Sequence, residues 1–332
     1  MINNEKHEAS QMTKLNITED VINNLKRLQA LRKEQAQEEP KPTYLDYSHL
    51  TPRNLEDHDF IDRQAMTLTC KPVSYCGECQ QGYYYERIKG MTSLEAKMCL
   101  RCEKPRRWMT RLNNMGLPPD AIGMHLDKYE PDSPQQLEAI SRCLEWLKTP
   151  DTSEKPHLRR APNLLLHGPP GNGKSSFLYA YAREAATCSK LVIKNNKRRP
   201  RGVKVKFISH SQLLSNIKKT WNDKTAQDPL KDWLDGVDIL LIDEFGGVGG
   251  SANKSAWWKQ QTIDLIQEFS QLWASGKLQV ILTTNLTPRE VLASLGDNAA
   301  AQSRLGAMFP QPIKMLGRDR RVQDVDAGAW GF

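Results

Sequence analysis

Residues 168–175 have the types and the spacing of a phosphate-binding loop. They read Gly-Pro-Pro-Gly-Asn-Gly-Lys-Ser and fit the pattern G-x-x-x-x-G-K-[ST] at every position. The glycines let the main chain wrap around an anion, so that successive N–H groups point inward. The Lys174 ammonium then reaches the outer phosphates, and the Ser175 hydroxyl completes the shell of a Mg²⁺ ion. The sequence therefore predicts nucleotide and Mg²⁺ binding by Gly168, Pro169, Pro170, Gly171, Asn172, Gly173, Lys174, Ser175 and Ser176.

A second set of candidate residues is a pair of acids that follows the apolar run 237–242. A strand buried in a parallel sheet is apolar on both faces, and ligands bind beyond its carboxyl end. Asp243 is therefore expected to hold Mg²⁺, directly or through water. Glu244 is expected to orient or deprotonate an attacking water. An ordinary strand end with solvated acids would be the interpretation if the phosphate-binding loop were missing.

Polar and cationic residues later in the chain complete the candidate site. The apolar run 279–282 ends in Thr283, Thr284 and Asn285, and the Asn285 amide is expected to hold the water between Glu244 and the γ-phosphate. Two arginine-containing segments follow, Gln302–Leu305 and Gly317–Arg321. An arginine from a neighbouring subunit can stabilise a transferring phosphoryl group, and a second arginine in cis can sense the same phosphate.

Two C-x-x-C pairs predict a structural zinc site. Cys76 and Cys79 are followed, after 19 residues, by Cys99 and Cys102. Four thiolates at such a spacing form a closed tetrahedron around Zn²⁺, which leaves no position for a reacting water. Cys70 is an alternative ligand, whereas the two remaining cysteines, Cys143 and Cys188, are expected to be core residues.

The elements that must position these residues alternate between apolar strands and amphipathic helices, which predicts an α/β fold with a parallel sheet. Strands are expected at 163–167, 203–208, 237–242 and 278–282, and helices at 133–148, 175–186, 212–221, 257–273 and 288–295. The N-terminal part adds an amphipathic helix at 17–35 and a strand at 82–85. We expect a flexible tail with that helix over 1–45, a zinc-binding adaptor over 46–111 and the α/β domain over 112–332.

Composition narrows the class of protein. The chain has 332 residues and a net charge of +8, from 47 Lys and Arg against 39 Asp and Glu. No apolar run approaches the ~20 residues of a membrane span, and residues 1–10 lack an apolar signal core. A cytoplasmic protein without a membrane partner is therefore expected.

The positive charge is concentrated in two segments. Residues 194–206 carry seven cations and no acid, and Lys104, Arg106, Arg107 and Arg111 flank Trp108. Phosphate backbones attract such clusters independently of base sequence, and an aromatic side chain adds a stacking surface. Contact with DNA is therefore predicted, with a solvated basic loop as the alternative.

In order, the motifs GPPGNGKS, ILLIDE, ILTTN, SRL and GRDRR resemble those of AAA+ ATPases. More narrowly, residues 112–322 are similar to the DnaC/DnaI-like loaders of replicative helicases, to which IstB-like ATPases are related. The resemblance implies that Arg304 is the finger acting in trans and that Arg321 is the sensor acting in cis. Because Asp319-Arg320 replaces the family's usual Ser-Tyr, Arg320 competes with Arg321 for that role.

The resemblance also implies an activity. An AAA+ loader hydrolyses ATP at interfaces within a ring or spiral of its own subunits and places a hexameric helicase on single-stranded DNA. Some loaders carry a zinc-binding N-terminal domain that contacts the helicase. The alternative is an IstB-like transposition ATPase, which binds duplex DNA and directs a transposase. A clamp-loader subunit is disfavoured, because its zinc module normally follows the phosphate-binding loop.

Overall fold

The structure is a computed structural model that describes residues 59–71, 74–87, 93–131, 133–148, 162–194, 197–220, 229–246 and 255–316. The predicted tail and helix within residues 1–45 lie outside the described residues, as do Arg320 and Arg321. Among the described residues, no helix is long and apolar enough to cross a membrane.

The strands follow the predicted alternation, with additions. They are β1 (Asp59–Asp62), β2 (Thr67–Cys70), β3 (Tyr83–Arg87), β4 (Leu94–Met98), β5 (Leu164–His167), β6 (Ser189–Lys194), β7 (Lys197–Gly202), β8 (Val205–Ser209), β9 (Ile239–Asp243), β10 (Gln279–Thr284) and β11 (Ile313–Lys314).

Five of the eight helices in the described residues lie close to the predicted bounds. The eight are α1 (Leu100–Asn113), α2 (Pro134–Lys148), α3 (Lys174–Thr187), α4 (His210–Thr220), α5 (Pro229–Leu234), α6 (Ala256–Ala274), α7 (Pro288–Ala293) and α8 (Ala299–Met308), with 3₁₀ turns at Pro119–Ala121 and Leu126–Lys128. Local capping explains the starts of two of them. The Ser255 side chain accepts the Trp258 N–H at α6, and Thr287 and Glu290 form a capping box at α7.

A parallel sheet of five strands lies at the centre of the α/β part, as predicted. Its order is β11-β5-β10-β9-β8, and every neighbouring pair is parallel. The chain passes from β5 to the β8 edge, returns through β9 and β10, and then crosses β5 to reach β11. The connections therefore leave β5 in opposite directions, which opens a crevice at the carboxyl ends of the strands.

Both faces of this sheet are covered, which explains its uninterrupted apolar strands. Along β9, Ile239 and Leu241 belong to a hydrophobic cluster shared with α1 and α3. The alternate residues Leu240 and Ile242 belong to a second cluster, shared with α4, α6, α7 and α8. The result is a three-layer arrangement that leaves the strand ends open to a ligand.

The N-terminal part consists of two short antiparallel ribbons, β1-β2 and β3-β4, followed by α1. Helix α1 crosses the predicted boundary between residues 111 and 112. Its buried Trp108, Met109 and Leu112 belong to the same hydrophobic cluster as the α3 side of the sheet. The cysteine-rich segment and the α/β part therefore share one core.

An antiparallel hairpin, β6-β7, separates α3 from β8 and was not predicted. It contains most of the basic segment 194–206 and pairs outside the parallel sheet. The Val203 N–H donates to the Cys188 carbonyl (3.1 Å) and closes the hairpin at its base. The strand predicted at 203–208 therefore begins at Val205 instead.

Candidate nucleotide site and cysteine cluster

The phosphate-binding loop connects β5 to α3 at the crevice. Gly173 is the N-cap of α3 and has a left-handed conformation (φ +87°). Gly168 (φ +146°) passes so close to β11 that an added Cβ would lie 2.6 Å from the Met315 carbonyl oxygen. Glycine is therefore required at both positions for the loop to present its N–H groups in front of the helix.

Lys174 is held inside the loop. Its buried ammonium donates to the carbonyl oxygens of Gly168 (2.8 Å) and Pro169 (2.7 Å) and to Asn172 Oδ1 (3.1 Å). Asn172 in turn donates through Nδ2 to the Met315 carbonyl. The loop is thus attached to the residue that follows β11, and a single cation lies at its centre.

The predicted magnesium ligands meet, although they are far apart in the sequence. Ser175 Oγ donates to Asp243 Oδ1 at 3.1 Å. The same carboxylate oxygen accepts the hydroxyl of Thr283 and the main-chain N–H of Glu244 (3.1 Å). A hydroxyl and a carboxylate are the hard oxygen ligands that Mg²⁺ prefers, so this pair fits the ion.

Glu244 is exposed and has a left-handed main chain (φ +55°), which is uncommon for a residue other than glycine. Thr283 holds this turn in place. Its Oγ1 accepts the Glu244 N–H (3.1 Å), and its carbonyl oxygen accepts the Phe245 N–H (2.7 Å). The turn directs an exposed carboxylate away from the sheet, next to the buried Asp243.

Thr283 is the residue whose importance could not be assigned from the sequence alone. The sequence places Thr283 at the polar end of an apolar strand. Its contact with Asp243, however, depends on the pairing of β10 with β9. Asn285, the residue predicted to hold water, is exposed and follows Thr284, which pairs with His167 just before the loop. Asn285 therefore lies at the same edge of the sheet as the phosphate-binding loop.

Two further side chains support the site. Tyr179, one turn after Ser175, is buried, and burial together with the Asp243 charge raises the pKa of its hydroxyl. His210 is fully buried, and its Nδ1 accepts the Gly246 N–H (3.2 Å). Its ring lies against Phe245 (4.5 Å) and Trp258 (4.9 Å). His210 thereby connects the turn after Glu244 to α6.

Arg304 lies on α8 and is half-buried. No hydrogen bond or ion pair joins it to a residue that the structure describes in the phosphate-binding loop. A finger acting on the site of another subunit would have that property.

The four predicted zinc ligands form one cluster. The sulfur atoms of Cys76, Cys79, Cys99 and Cys102 all lie within 4.8 Å of one another. Three separations are 3.5 Å (Cys76–Cys79), 3.7 Å (Cys76–Cys99) and 3.5 Å (Cys79–Cys102). Zn–S bonds of about 2.3 Å place tetrahedral sulfurs ~3.8 Å apart, so the cluster fits Zn²⁺. These distances are too long for a disulfide, and all four cysteines are free.

Two of the thiols lie at the start of a helix. Cys99 is the N-cap of α1, and Cys102 lies in its first turn. Burial opposes ionisation of Cys99, but its hydrogen bond with the Tyr84 hydroxyl and those from the N–H groups of Cys102 and Arg101 outweigh burial and lower the pKa of Cys99 to about 6. Burial raises the pKa of Cys102 to about 12.

The other cysteines have structural positions. Cys70 lies in β2, where its main chain exchanges hydrogen bonds with the Asn113 amide, and it is not part of the cluster. Cys143 is fully buried in α2, as predicted, and Cys188 is only partly buried after α3.

The prediction that Trp108 offers a stacking surface is wrong. Trp108 is 9% exposed, because α1 packs this side against the shared core, and the Lys104 ammonium lies 4.8 Å from the ring centre. Exposed aromatic residues of this region include Tyr75 and three consecutive residues of β3, Tyr83, Tyr84 and Tyr85.

Comparison with known proteins defines the class. Residues 164–304 match the family described as "ATPase family associated with various cellular activities (AAA)". The chain therefore contains an AAA ATPase domain, and its enzymatic class is that of an ATPase.

Matches among solved structures include a DnaI and one domain of a DnaA. "Crystal Structure of the DnaI" is 18% identical, with 62% of this chain and 94% of that chain covered and a TM-score of 0.44. Domain III of the Thermotoga maritima replication initiation protein DnaA is 20% identical, with 61% and 70% covered and a TM-score of 0.41. The comparison with curated proteins gives no significant match.

Proposed function

We propose that this protein is a cytoplasmic, ATP-dependent loader that places a hexameric replicative DNA helicase onto single-stranded DNA. In this proposal the N-terminal region binds the helicase, and ATP is hydrolysed at interfaces between AAA+ subunits that assemble into a ring or spiral. One observation carries it. A four-cysteine module precedes the ATPase domain and is joined through a single helix to the helix that follows the phosphate-binding loop.

That connection supports coupling between a partner and the nucleotide. Helix α1 begins at Cys99 in the cluster and ends against the far end of α3. There Arg111 Nη1 donates to the carbonyl oxygens of Ala186 (2.9 Å) and Cys188 (3.3 Å). A cation at the last carbonyls of a helix stabilises it through its dipole. The N-terminus of α3 is the phosphate-binding end, so one pair of packed helices spans the distance from cysteine cluster to nucleotide.

The proposed hydrolysis uses the crevice residues. Lys174 and the loop N–H groups bind the ATP phosphates, and Ser175 and Asp243 hold Mg²⁺, which neutralises charge on the transferring phosphoryl group. Glu244 orients the attacking water with Asn285. Arg304 acts on the site of the neighbouring subunit, and Arg321 is the proposed sensor in cis.

The proposed metal in the N-terminal module is Zn²⁺, held by Cys76, Cys79, Cys99 and Cys102. Because four thiolates fill its coordination shell, the ion folds the module and takes no part in hydrolysis. It also fixes the first turn of α1, since two of the four ligands belong to that turn.

The β3-β4 ribbon is the surface that we propose for the helicase. Tyr83 and Tyr85 pair with Met98 and Ala96 across the ribbon, and Tyr85 and Leu94 are 49% and 60% exposed. The two strands have no net charge, because they carry two acids and two cations: Glu86, Glu95, Arg87 and Lys97. An electrically balanced surface rich in tyrosine fits a protein partner better than a polyanion.

Co-elution of the full-length chain with the hexameric replicative helicase of its host tests the proposal. The double variant Tyr83→Ser, Tyr85→Ser is expected to lose co-elution while it keeps ATP binding, because the ribbon lies outside the crevice. Exchange of Ile122, an exposed apolar residue after the first 3₁₀ turn and outside the ribbon, for Ser is the control. Deletion of residues 1–110 is unsuitable, since it removes most of α1 and opens the shared core.

An IstB-like transposition ATPase is the second candidate. What favours it is the concentration of cations on the β6-β7 hairpin, which suits duplex DNA. Absence of any helicase complex with the wild-type chain, together with capture of a transposase, would replace the loader proposal by this one.

A further inference from the structure

We infer that α1 and the β6-β7 hairpin form one continuous surface for the phosphate backbone of double-stranded DNA. We call this surface the basic saddle and define it by the described cations Lys104, Arg107, Arg111, Arg201 and Lys204. The inference goes beyond the proposed function, in which the helicase is placed on a single strand.

Contacts at the base of the hairpin make the surface continuous. Arg107 and Arg111 are one turn apart on α1. The Arg111 guanidinium lies so close to Gly202 that an added Cβ would be 2.1 Å from its Cζ atom. The neighbouring Arg201 donates to the Gly202 carbonyl oxygen (3.2 Å), so the guanidinium groups of Arg111 and Arg201 both lie at Gly202. Consistent with this proximity, burial together with the charges of Arg107 and Arg201 lowers the pKa of Arg111.

The hairpin itself has an unusual distribution of charge. Residues 189–206 contain eight Lys and Arg and no acid. The register pairs Lys190 with Arg201 and Lys194 with Lys197. Like charges directly opposite each other destabilise a ribbon. Within the described residues, Arg201 forms an ion pair with Asp238 (2.7 Å), which offsets the charge of Arg201. A polyanion across the ribbon would relieve the remaining repulsion.

The basic saddle lies at the opposite end of the sheet from the nucleotide. Helix α3 starts at the carboxyl end of β5, and the hairpin follows the other end of that helix. The Lys204 carbonyl oxygen accepts the N–H groups of Asp238 (2.9 Å) and Ile239 (3.1 Å), where β9 begins. Binding at this surface therefore leaves the ATP-binding residues uncovered.

The surface favours a duplex over a single strand. Proteins that hold single strands stack bases on exposed aromatic rings. On α1, Trp108 is buried, and the exposed Tyr83, Tyr84 and Tyr85 lie on β3, outside the basic saddle. A two-stranded ribbon, by contrast, fits the major groove of a duplex, and flanking cations contact phosphates without reading bases.

Fluorescence anisotropy of the full-length chain with a 20-base-pair DNA duplex, and with a 20-nucleotide single strand of the same sequence, tests this inference. The duplex is expected to bind more tightly. Arg107→Ala on α1 and Lys204→Ala at the base of the hairpin should each raise the duplex Kd about fivefold at 0.15 M salt, and each should lower the salt slope by about one. Lys277→Ala, an exposed cation in the loop before β10, is the matched control and should change neither quantity.

Three results would overturn the inference: tighter binding of the single strand, an unchanged duplex Kd in Arg107→Ala, or an equal loss in the Lys277→Ala control. ATP hydrolysis measured without DNA should be the same in all three variants, which separates a lost DNA contact from a misfolded domain. Helicase co-elution does not depend on these residues, so the loader proposal and the duplex surface fail independently.

Discussion

Replacing Thr283 by valine keeps the volume of the side chain but removes the hydroxyl that joins Asp243 to Glu244. That hydroxyl donates to Asp243 Oδ1 and accepts the Glu244 N–H. Hydrogen bonds to a charged group contribute about 1.5–3 kcal/mol to stability. The left-handed conformation of Glu244 costs on the order of 1–3 kcal/mol. Because the two magnitudes are similar, loss of the hydroxyl is expected to let the turn relax and the Glu244 carboxylate move.

The expected effect on catalysis exceeds the effect on folding. Thr283→Val should lower the free energy of unfolding by about 2 kcal/mol. It should lower kcat for ATP at least tenfold, since about 1.4 kcal/mol of lost transition-state stabilisation has that effect. Nucleotide affinity should change little, because the Lys174 contacts do not involve Thr283. Steady-state hydrolysis, nucleotide titration and urea denaturation measure the three quantities.

The neighbouring threonine provides the control. Thr284 is equally buried, but its hydroxyl accepts the Leu286 N–H (3.1 Å) and makes no contact with the Asp243 carboxylate among the described residues. Thr284→Val should therefore cost about 1 kcal/mol of stability with kcat nearly unchanged, and Thr283→Ser should restore most of kcat. If Thr283→Val retains kcat within about twofold of the wild type, Thr283 has no role in positioning Glu244.

Three further variants test the other parts of the site. Lys174→Ala should abolish nucleotide binding and hydrolysis, and hydrolysis at the wild-type rate would refute the assignment of the phosphate-binding loop. Cys99→Ser should reduce bound zinc well below one ion per chain and lower Tm, whereas Cys188→Ser should retain the metal; elemental analysis of protein purified without chelator distinguishes them. Arg304→Ala should bind nucleotide normally but lose hydrolysis in the assembled state, and the exposed Arg289→Ala on α7 serves as its control. Full hydrolysis by assembled Arg304→Ala would exclude the finger role.

The sequence was sufficient for features that depend on neighbouring residues. The phosphate-binding loop is contiguous, and its glycine requirements are local, so its position before α3 followed directly. The parallel sheet followed from strands without polar residues. The cysteine cluster followed from two local C-x-x-C turns, although only the fold shows that Cys70 lies apart from it.

Features that depend on pairing between distant segments could not be predicted. The contact of Thr283 with Asp243 requires β10 to lie beside β9, and nothing local specifies that order. The β6-β7 hairpin is rich in lysine and arginine and contains Pro200, so its composition suggested an irregular loop. The prediction that Trp108 is exposed rested on the cations that flank it in the sequence. The sequence does not show that this side of α1 faces a core shared with α3.

The shared helix also limits how this protein can be rearranged. The Met115 and Leu117 carbonyl oxygens accept the N–H groups of Phe207 and Leu68, so the segment after α1 is bonded to both halves of the molecule. A chimera joined at residue 112 would separate side chains that bury one another. A crossover in the loop that follows, beyond Pro118, would instead carry the cysteine module together with its own supporting helix. Exchange of recognition modules between related ATPases is therefore expected to succeed only when α1 is inherited with the module.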